Sequence, residues 1–142
     1  MSGKTLATAE SCTGGMIGQL LTGVSGASNV YKGGVISYTN EVKQNVLGVD
    51  GKLLAELGAV SAPVAEAMAA GARKVLNADM AVSVTGLAGP GGDEFGNPVG
   101  TVFIGFASKE KNEAREYHFA GDRQAVRQQA AEAALKLVLN NI

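Results

Sequence analysis

Lys4-Thr5-Leu6-Ala7-Thr8-Ala9-Glu10-Ser11-Cys12-Thr13-Gly14-Gly15-Met16-Ile17-Gly18-Gln19-Leu20-Leu21 decides the fold class. Lys4 to Ala9 predicts a short apolar strand, and Met16, Ile17, Leu20 and Leu21 fall at helical spacing until Gly23 ends the run. Between them lies a turn rich in hydroxyl, thiol and glycine. In α/β proteins such a handover from strand to helix is where ligands bind. Ser11 and Cys12 are both candidate nucleophiles there. The backbone N–H groups of Thr13, Gly14 and Gly15 are expected to open toward a ligand, with the positive end of the helix dipole behind them. A plain helix cap uses the same residue types, so the turn alone leaves function open.

Outward from this segment the chain alternates strands and helices. Val24 to Asn29 is a turn-rich connection, Val35 to Tyr38 predicts a second strand, and Asn40 caps a short helix through Leu47. A small helix follows near Leu53 to Leu57. Ser61 and Pro63 announce a longer one, in which Val64, Ala67, Met68, Gly71, Ala72 and Val75 step along a single face, a pattern of core packing. Met80 to Thr85 predicts a third strand. Gly100 to Ala107 and Glu113 to Phe119 predict two more, and the short charged link Ser108 to Asn112 makes them an antiparallel hairpin. Asp122 caps the last helix, whose Val126, Ala130, Ala133 and Leu137 face the sheet. The expected architecture is a three-layer α/β/α fold with a mixed, mainly parallel sheet of about five strands, in a single domain over residues 1–142.

Composition narrows the function classes. A chain of 142 residues, 46% hydrophobic, buries a proper core without disulfides. Cys12 is the one cysteine and cannot form an internal bridge; with a single histidine, an ordinary His/Cys zinc site is excluded, although carboxylates remain able to hold magnesium. No apolar run approaches the roughly 20 residues of a membrane helix, and no signal-like segment opens the chain, so a cytoplasmic protein is expected. With 12 basic and 13 acidic residues and a net charge of -1, no electrostatic footprint for nucleic acid is present.

Two further places carry chemistry. Lys43 is expected in the first turn of the helix capped by Asn40, where the helix dipole opposes its charge and lowers its proton affinity. An amine tuned in this way can take the proton of a serine hydroxyl in place of the usual histidine. Tyr38, at the end of the preceding strand, points into the same region. The run Thr85-Gly86-Leu87-Ala88-Gly89-Pro90-Gly91-Gly92 leaves a strand end and is too glycine-rich for core. Its length favours a ligand loop for phosphate or ribose, with Asp93 and Glu94 solvated at its tip. It matches neither the dinucleotide fingerprint nor the Walker loop. Arg123, at a helix start, suits a phosphate or a surface ion pair. His118 is expected to be a half-exposed strand histidine.

Together, Thr5 through Gly15, Gly34-Val35-Ile36-Ser37-Tyr38-Thr39-Asn40-Glu41-Val42-Lys43, Gly58-Ala59-Val60-Ser61, Thr85 through Pro90, Pro98 through Val102 and Gly121-Asp122-Arg123 resemble the CinA C-terminal domain family. The likeness runs in order through almost the whole chain. It implies a metal-free, cofactor-free amidohydrolase that converts nicotinamide mononucleotide to nicotinic acid mononucleotide and ammonia in pyridine nucleotide recycling. Carried over by motif, it implies Ser11 as nucleophile, Lys43 as general base and Tyr38 as a proton-handling hydroxyl. Thr13, Gly14, Gly15, Thr85, Gly86, Ala88, Gly89 and Arg123 are then expected around the nucleotide substrate. Members of the family carry a helix before the first strand, where Met1-Ser2-Gly3 stands here; a homo-oligomer, dimer or higher, is therefore expected to cover the sheet. A silent nucleotide-binding module and a Cys12 hydrolase are the competing readings.

Overall fold

The structure, a computed structural model, describes residues 3–142. The expectation about the segment before Lys4 falls largely on Met1 and Ser2, outside the described residues. β1 (Leu6–Glu10) is buried at every position, because both of its faces are covered by helices. It is followed by α1 (Met16–Thr22), β2 (Tyr31–Ile36), α2 (Asn40–Asn45), α3 (Gly51–Leu57), α4 (Ala62–Val75), β3 (Met80–Gly86), β4 (Thr101–Ser108), β5 (Asn112–His118) and α5 (Arg123–Leu139).

The strands form one five-stranded sheet in the order β2-β1-β3-β4-β5. β1 runs parallel to both β2 and β3, whereas β3–β4 and β4–β5 are antiparallel. Strand directions are thus mainly parallel, with β4 alone reversed, while the pairings divide evenly between the two kinds.

Alternation along the strands sorts the core into two layers. Leu6, Met80, Val82, Ile104 and Phe106 meet Ile17 of α1 and Val126, Ala130 and Leu137 of α5. The small Ala7, Ala9 and Ala81 face the other way, against Val64, Met68 and Ala72 of α4 and Leu47, Val49 and Leu54 from the segment before it. Each fully buried large aliphatic side chain contributes roughly 1.5–3 kcal/mol. Ala133, expected on the buried face of α5, is only half-buried, and Ala131 and Ala134 are buried beside it. Close packing over α4 requires Gly71 to lack a side chain, since a Cβ there would run into the Leu47 carbonyl.

Two local expectations are corrected. β2 starts at Tyr31 and ends at Ile36, not Val35 to Tyr38: the Tyr31 hydroxyl bonds Thr8 Oγ1 at 2.7 Å, and Gly33-Gly34 interrupts the apolar pattern that would have marked the strand. Thr39, not Asn40, caps α2, its hydroxyl accepting the Val42 N–H at 3.3 Å. No helix among the described residues is long and apolar enough to cross a membrane.

Candidate active site

The parallel register of β1 and β2 brings two strand ends together. Ser11 continues the ladder one residue past β1, its N–H donating to Val84 O at 3.0 Å, and Ser37 does the same past β2, donating to Glu10 O at 2.8 Å. The chain then turns through Thr39 into α2, which carries Lys43 back beneath Ser11. Lys43 is 1% exposed. Its Nζ lies 3.0 Å from Ser11 Oγ, 2.8 Å from the Ser37 carbonyl and 3.3 Å from the Tyr38 carbonyl.

Burial pushes the Lys43 amine down to about 8, with charge on Cys12 acting in the opposite direction. The cause differs from the expected one, because Lys43 sits in the last turn of α2 and burial, not the helix start, disfavours its charge. A neutral amine has two N–H donors and one lone pair. The charged amine donates to both carbonyls and to Ser11 Oγ; on losing a proton it keeps two donors for the carbonyls and has a lone pair for the Ser11 hydroxyl proton. Cys12 is also buried, and burial raises its thiol to about 11, so at neutral pH it is not a thiolate.

The glycine turn departs from expectation. The Glu10 carboxylate, 2% exposed, fills the start of α1: Oε1 accepts the N–H of Gly15 at 3.2 Å and of Ile17 at 2.9 Å, and Oε2 accepts that of Gly18 at 3.0 Å. Gly14 N–H donates to Ser11 O at 3.1 Å. Gly14 and Gly15 are therefore not open donors for a ligand. Thr13 is fully buried, and its hydroxyl has no hydrogen-bond partner among the described residues. Gly15 holds φ at 108°, a conformation that admits the Glu10 carboxylate beneath the turn and that a side chain would strain. From the far side Arg127 of α5 reaches in, with Nε donating to Cys12 O at 2.9 Å and Nη2 to Thr13 O at 3.1 Å. Among the described residues, the N–H groups of Cys12 and Thr13 have no hydrogen-bonded backbone acceptor.

Ser11, Lys43 and Tyr38 line a cleft of about 740 Å³. Thr85, Gly86, Ala88 and Gly89, from the end of β3 and the loop after it, line the same cleft, as does Arg123. The Thr85 hydroxyl is committed to the fold, donating to Ala59 O at 2.9 Å. Arg123 ties three segments together: Nη1 donates to Gly89 O at 2.7 Å and Nη2 to the Tyr38 hydroxyl at 3.2 Å. Tyr38 is 59% exposed, and its hydroxyl accepts from Arg123 and so keeps its own proton to donate. Asp93 is not a free solvated tip. It accepts the N–H of Phe95 at 3.2 Å and of Asn97 at 3.0 Å, orders the loop, and lines the cleft with Glu94. His118 lies away from the cleft and pairs with Glu116 at 2.7 Å.

The profile of the CinA C-terminal domain matches residues 1–142. The chain belongs to the CinA C-terminal domain family. A CinA-like protein of Geobacter sulfurreducens is 50% identical over 133 residues, covering 94% of this chain and 32% of that protein. One from Anaeromyxobacter dehalogenans is 50% identical over 136 residues, covering 96% and 33%. The chain thus spans about a third of the length of these curated relatives. The crystal structure of a competence-damaged protein (CinA) superfamily protein from Escherichia coli superimposes with a TM-score of 0.96 at 36% identity, covering 99% of this chain and 81% of that one. A competence damage-inducible protein from Klebsiella pneumoniae gives 0.93 at 38%, covering 96% and 84%.

In this CinA domain, the sequence reading missed three residues that hold the site. Glu10 carried a signal, a carboxylate ending an otherwise apolar strand. Arg127 stands four residues after Arg123 and so on the same side of α5. Ser37 meets Lys43 through its backbone carbonyl, which no side-chain pattern announces.

Proposed function

We propose that this chain is an amidohydrolase that converts nicotinamide mononucleotide to nicotinic acid mononucleotide and ammonia, as one step of pyridine nucleotide recycling in the cytoplasm. The observation that carries the reading is the buried Lys43 amine 3.0 Å from Ser11 Oγ, with both of its N–H donors matched by carbonyls. Neutral Lys43 takes the Ser11 proton as Oγ attacks the carboxamide carbon. The new C–O bond places negative charge on the amide oxygen. The oxyanion then collapses and the C–N bond breaks, the Tyr38 hydroxyl delivers a proton to the departing nitrogen, which leaves as ammonia, and the proton held by Lys43 passes to the Tyr38 phenolate, so that Lys43 is neutral again. Water attacks the acyl-enzyme with Lys43 again as base, and the carboxylate product leaves as Ser11 regains its proton. The pyridinium charge of the substrate helps keep Lys43 neutral by like-charge repulsion. The Thr85 to Gly89 loop and Arg123 hold ribose and phosphate. A homo-oligomer, dimer or higher, is part of the same proposal, supported by exposed Ile36, Leu139 and Ile142.

The test is ammonia release from nicotinamide mononucleotide by wild type, Ser11→Ala and Lys43→Ala, each shown to be folded, with and without a chelator. Chelator-resistant release by wild type alone supports the reading. Binding of the nucleotide without release by any of the three turns it into a silent binding module.

A further inference from the structure

We infer that Arg127 is a positioning residue that sets the oxyanion-stabilising donors beside Ser11, these donors being the N–H groups of Cys12 and Thr13. The inference rests on the serine chemistry proposed above. An acyl transfer needs hydrogen-bond donors already aimed at the oxygen on which charge develops. The start of α1 is closed to that task, because the Glu10 carboxylate occupies the N–H groups of Gly15, Ile17 and Gly18. Ser11 N–H is spent on Val84 O, and Gly14 N–H on Ser11 O. Among the described residues, the donors next to Ser11 that have no backbone acceptor are those of Cys12, which lines the cleft, and of Thr13, which is fully buried.

Peptide planarity converts control of a carbonyl into control of the N–H across the same bond, since in a trans peptide the two point in opposite directions. The plane carrying Thr13 N–H has Cys12 O at its other edge, and Arg127 Nε holds that oxygen at 2.9 Å. The plane carrying Cys12 N–H has Ser11 O at its other edge, held by Gly14 N–H at 3.1 Å. Gly14 N–H is in turn part of the plane whose oxygen, Thr13 O, is shared between Arg127 Nη2 at 3.1 Å and the Met16 N–H at 3.1 Å. One guanidinium therefore fixes the first donor directly, and shares with the Met16 N–H the bracing of the second through a single intervening bond. Its remaining nitrogen is anchored on Gln124 Oε1 at 3.0 Å. This needs the planar fork of arginine; a lysine supplies one point charge and cannot hold two carbonyls in fixed relation.

The experiment has two readouts. Turnover of nicotinamide mononucleotide is measured for wild type, Arg127→Ala and Arg127→Lys, with denaturation midpoints recorded alongside. In parallel, a fluorophosphonate probe labels Ser11: Oγ bonds to phosphorus, fluoride leaves, Lys43 accepts the hydroxyl proton, and the phosphoryl oxygen occupies the oxyanion position. Labelling is followed by intact mass. Deleting an oxyanion donor outright lowers kcat by roughly 10²–10³-fold, so misaligning one is expected to lower kcat and the labelling rate by about tenfold or more in both variants, with KM within about threefold. Millimolar guanidinium, well below denaturing levels, is expected to restore part of the Arg127→Ala rate and none of the Arg127→Lys rate. Should the alanine variant not fold, Arg127→Lys carries the same comparison. Wild-type labelling and kcat in the variants, or a loss residing wholly in KM, overturns the inference and leaves the serine chemistry standing. Absence of Ser11 labelling in wild type removes both.

Discussion

Replacing Lys43 by methionine separates the proton chemistry of the buried amine from its volume. Methionine keeps the unbranched stem but carries no ionisable group. In the wild type, burial holds the amine at about 8 against an ordinary 10.5, so folding between those pH values releases a proton. At about 1.36 kcal/mol per unit, the folded protein bears a penalty of about 3 kcal/mol at neutral pH. That penalty is fully present below the folded value and fades as pH rises toward the unfolded one, so wild-type stability climbs across this window. From pH 7 to pH 10 the wild type is expected to gain about 2 to 3 kcal/mol that Lys43→Met does not. With a urea slope of roughly 1–3 kcal/mol/M, the difference between their midpoints shifts by about 1 to 2 M. Titration of tyrosines and surface lysines is common to both proteins and cancels in that difference. Losing the partner of the Ser37 and Tyr38 carbonyls offsets the variant equally at both pH values. Urea denaturation followed by circular dichroism is the assay, with ammonia release as its companion: the variant is inactive throughout, and wild-type kcat/KM rises with pH and levels off above about 8. A midpoint difference identical at pH 7 and pH 10 refutes the reasoning.

Cys12→Ala is expected to retain activity within about threefold, since a thiol raised to about 11 is protonated at neutral pH; loss of ammonia release would make Cys12 the nucleophile. Tyr38→Phe removes the proton donated to the leaving group and is expected to lower kcat by about 10²-fold, within the range of general-acid contributions, while the Arg123 bond to Gly89 O persists; an unchanged kcat eliminates the relay. Glu10→Gln sets an amide N–H₂ against at least one of three helix N–H donors and is expected to destabilise the fold by about 1–3 kcal/mol, read as a lower urea midpoint at constant pH. An unmoved midpoint contradicts the buried cap.

The alternation of strands and helices was legible because most elements announce themselves locally: Ser61 and Pro63 open α4, Asp122 caps α5, and the charged link after β4 forces a hairpin. β2 was misplaced because an edge strand containing Gly33-Gly34 takes its register from a neighbour rather than from its own pattern. The positions of Ser11, Tyr38, Lys43, Arg123 and the Thr85 loop were readable as chemistry-bearing residue types, and they share one cleft. The reason for the Lys43 shift was not readable, since one-dimensional spacing does not say that a lysine is enclosed. For the same reason the glycine turn looked like an open anion cradle. Its donors face a carboxylate already present in the chain, a pairing visible only once β1 and α1 are seen at the angle that lets Glu10 reach back.

Ser11 hangs from an interior strand, but Lys43 reaches it by way of the sheet margin. β2 has one strand neighbour and no fully buried residue, whereas β1 is buried along its whole length. Edge segments of this kind open at lower free energy than the core they border. On warming, the acid–base partnership is therefore expected to come apart while the helices still give their full circular dichroism signal. Heat is expected to silence the protein some degrees before it melts, and reversibly on cooling.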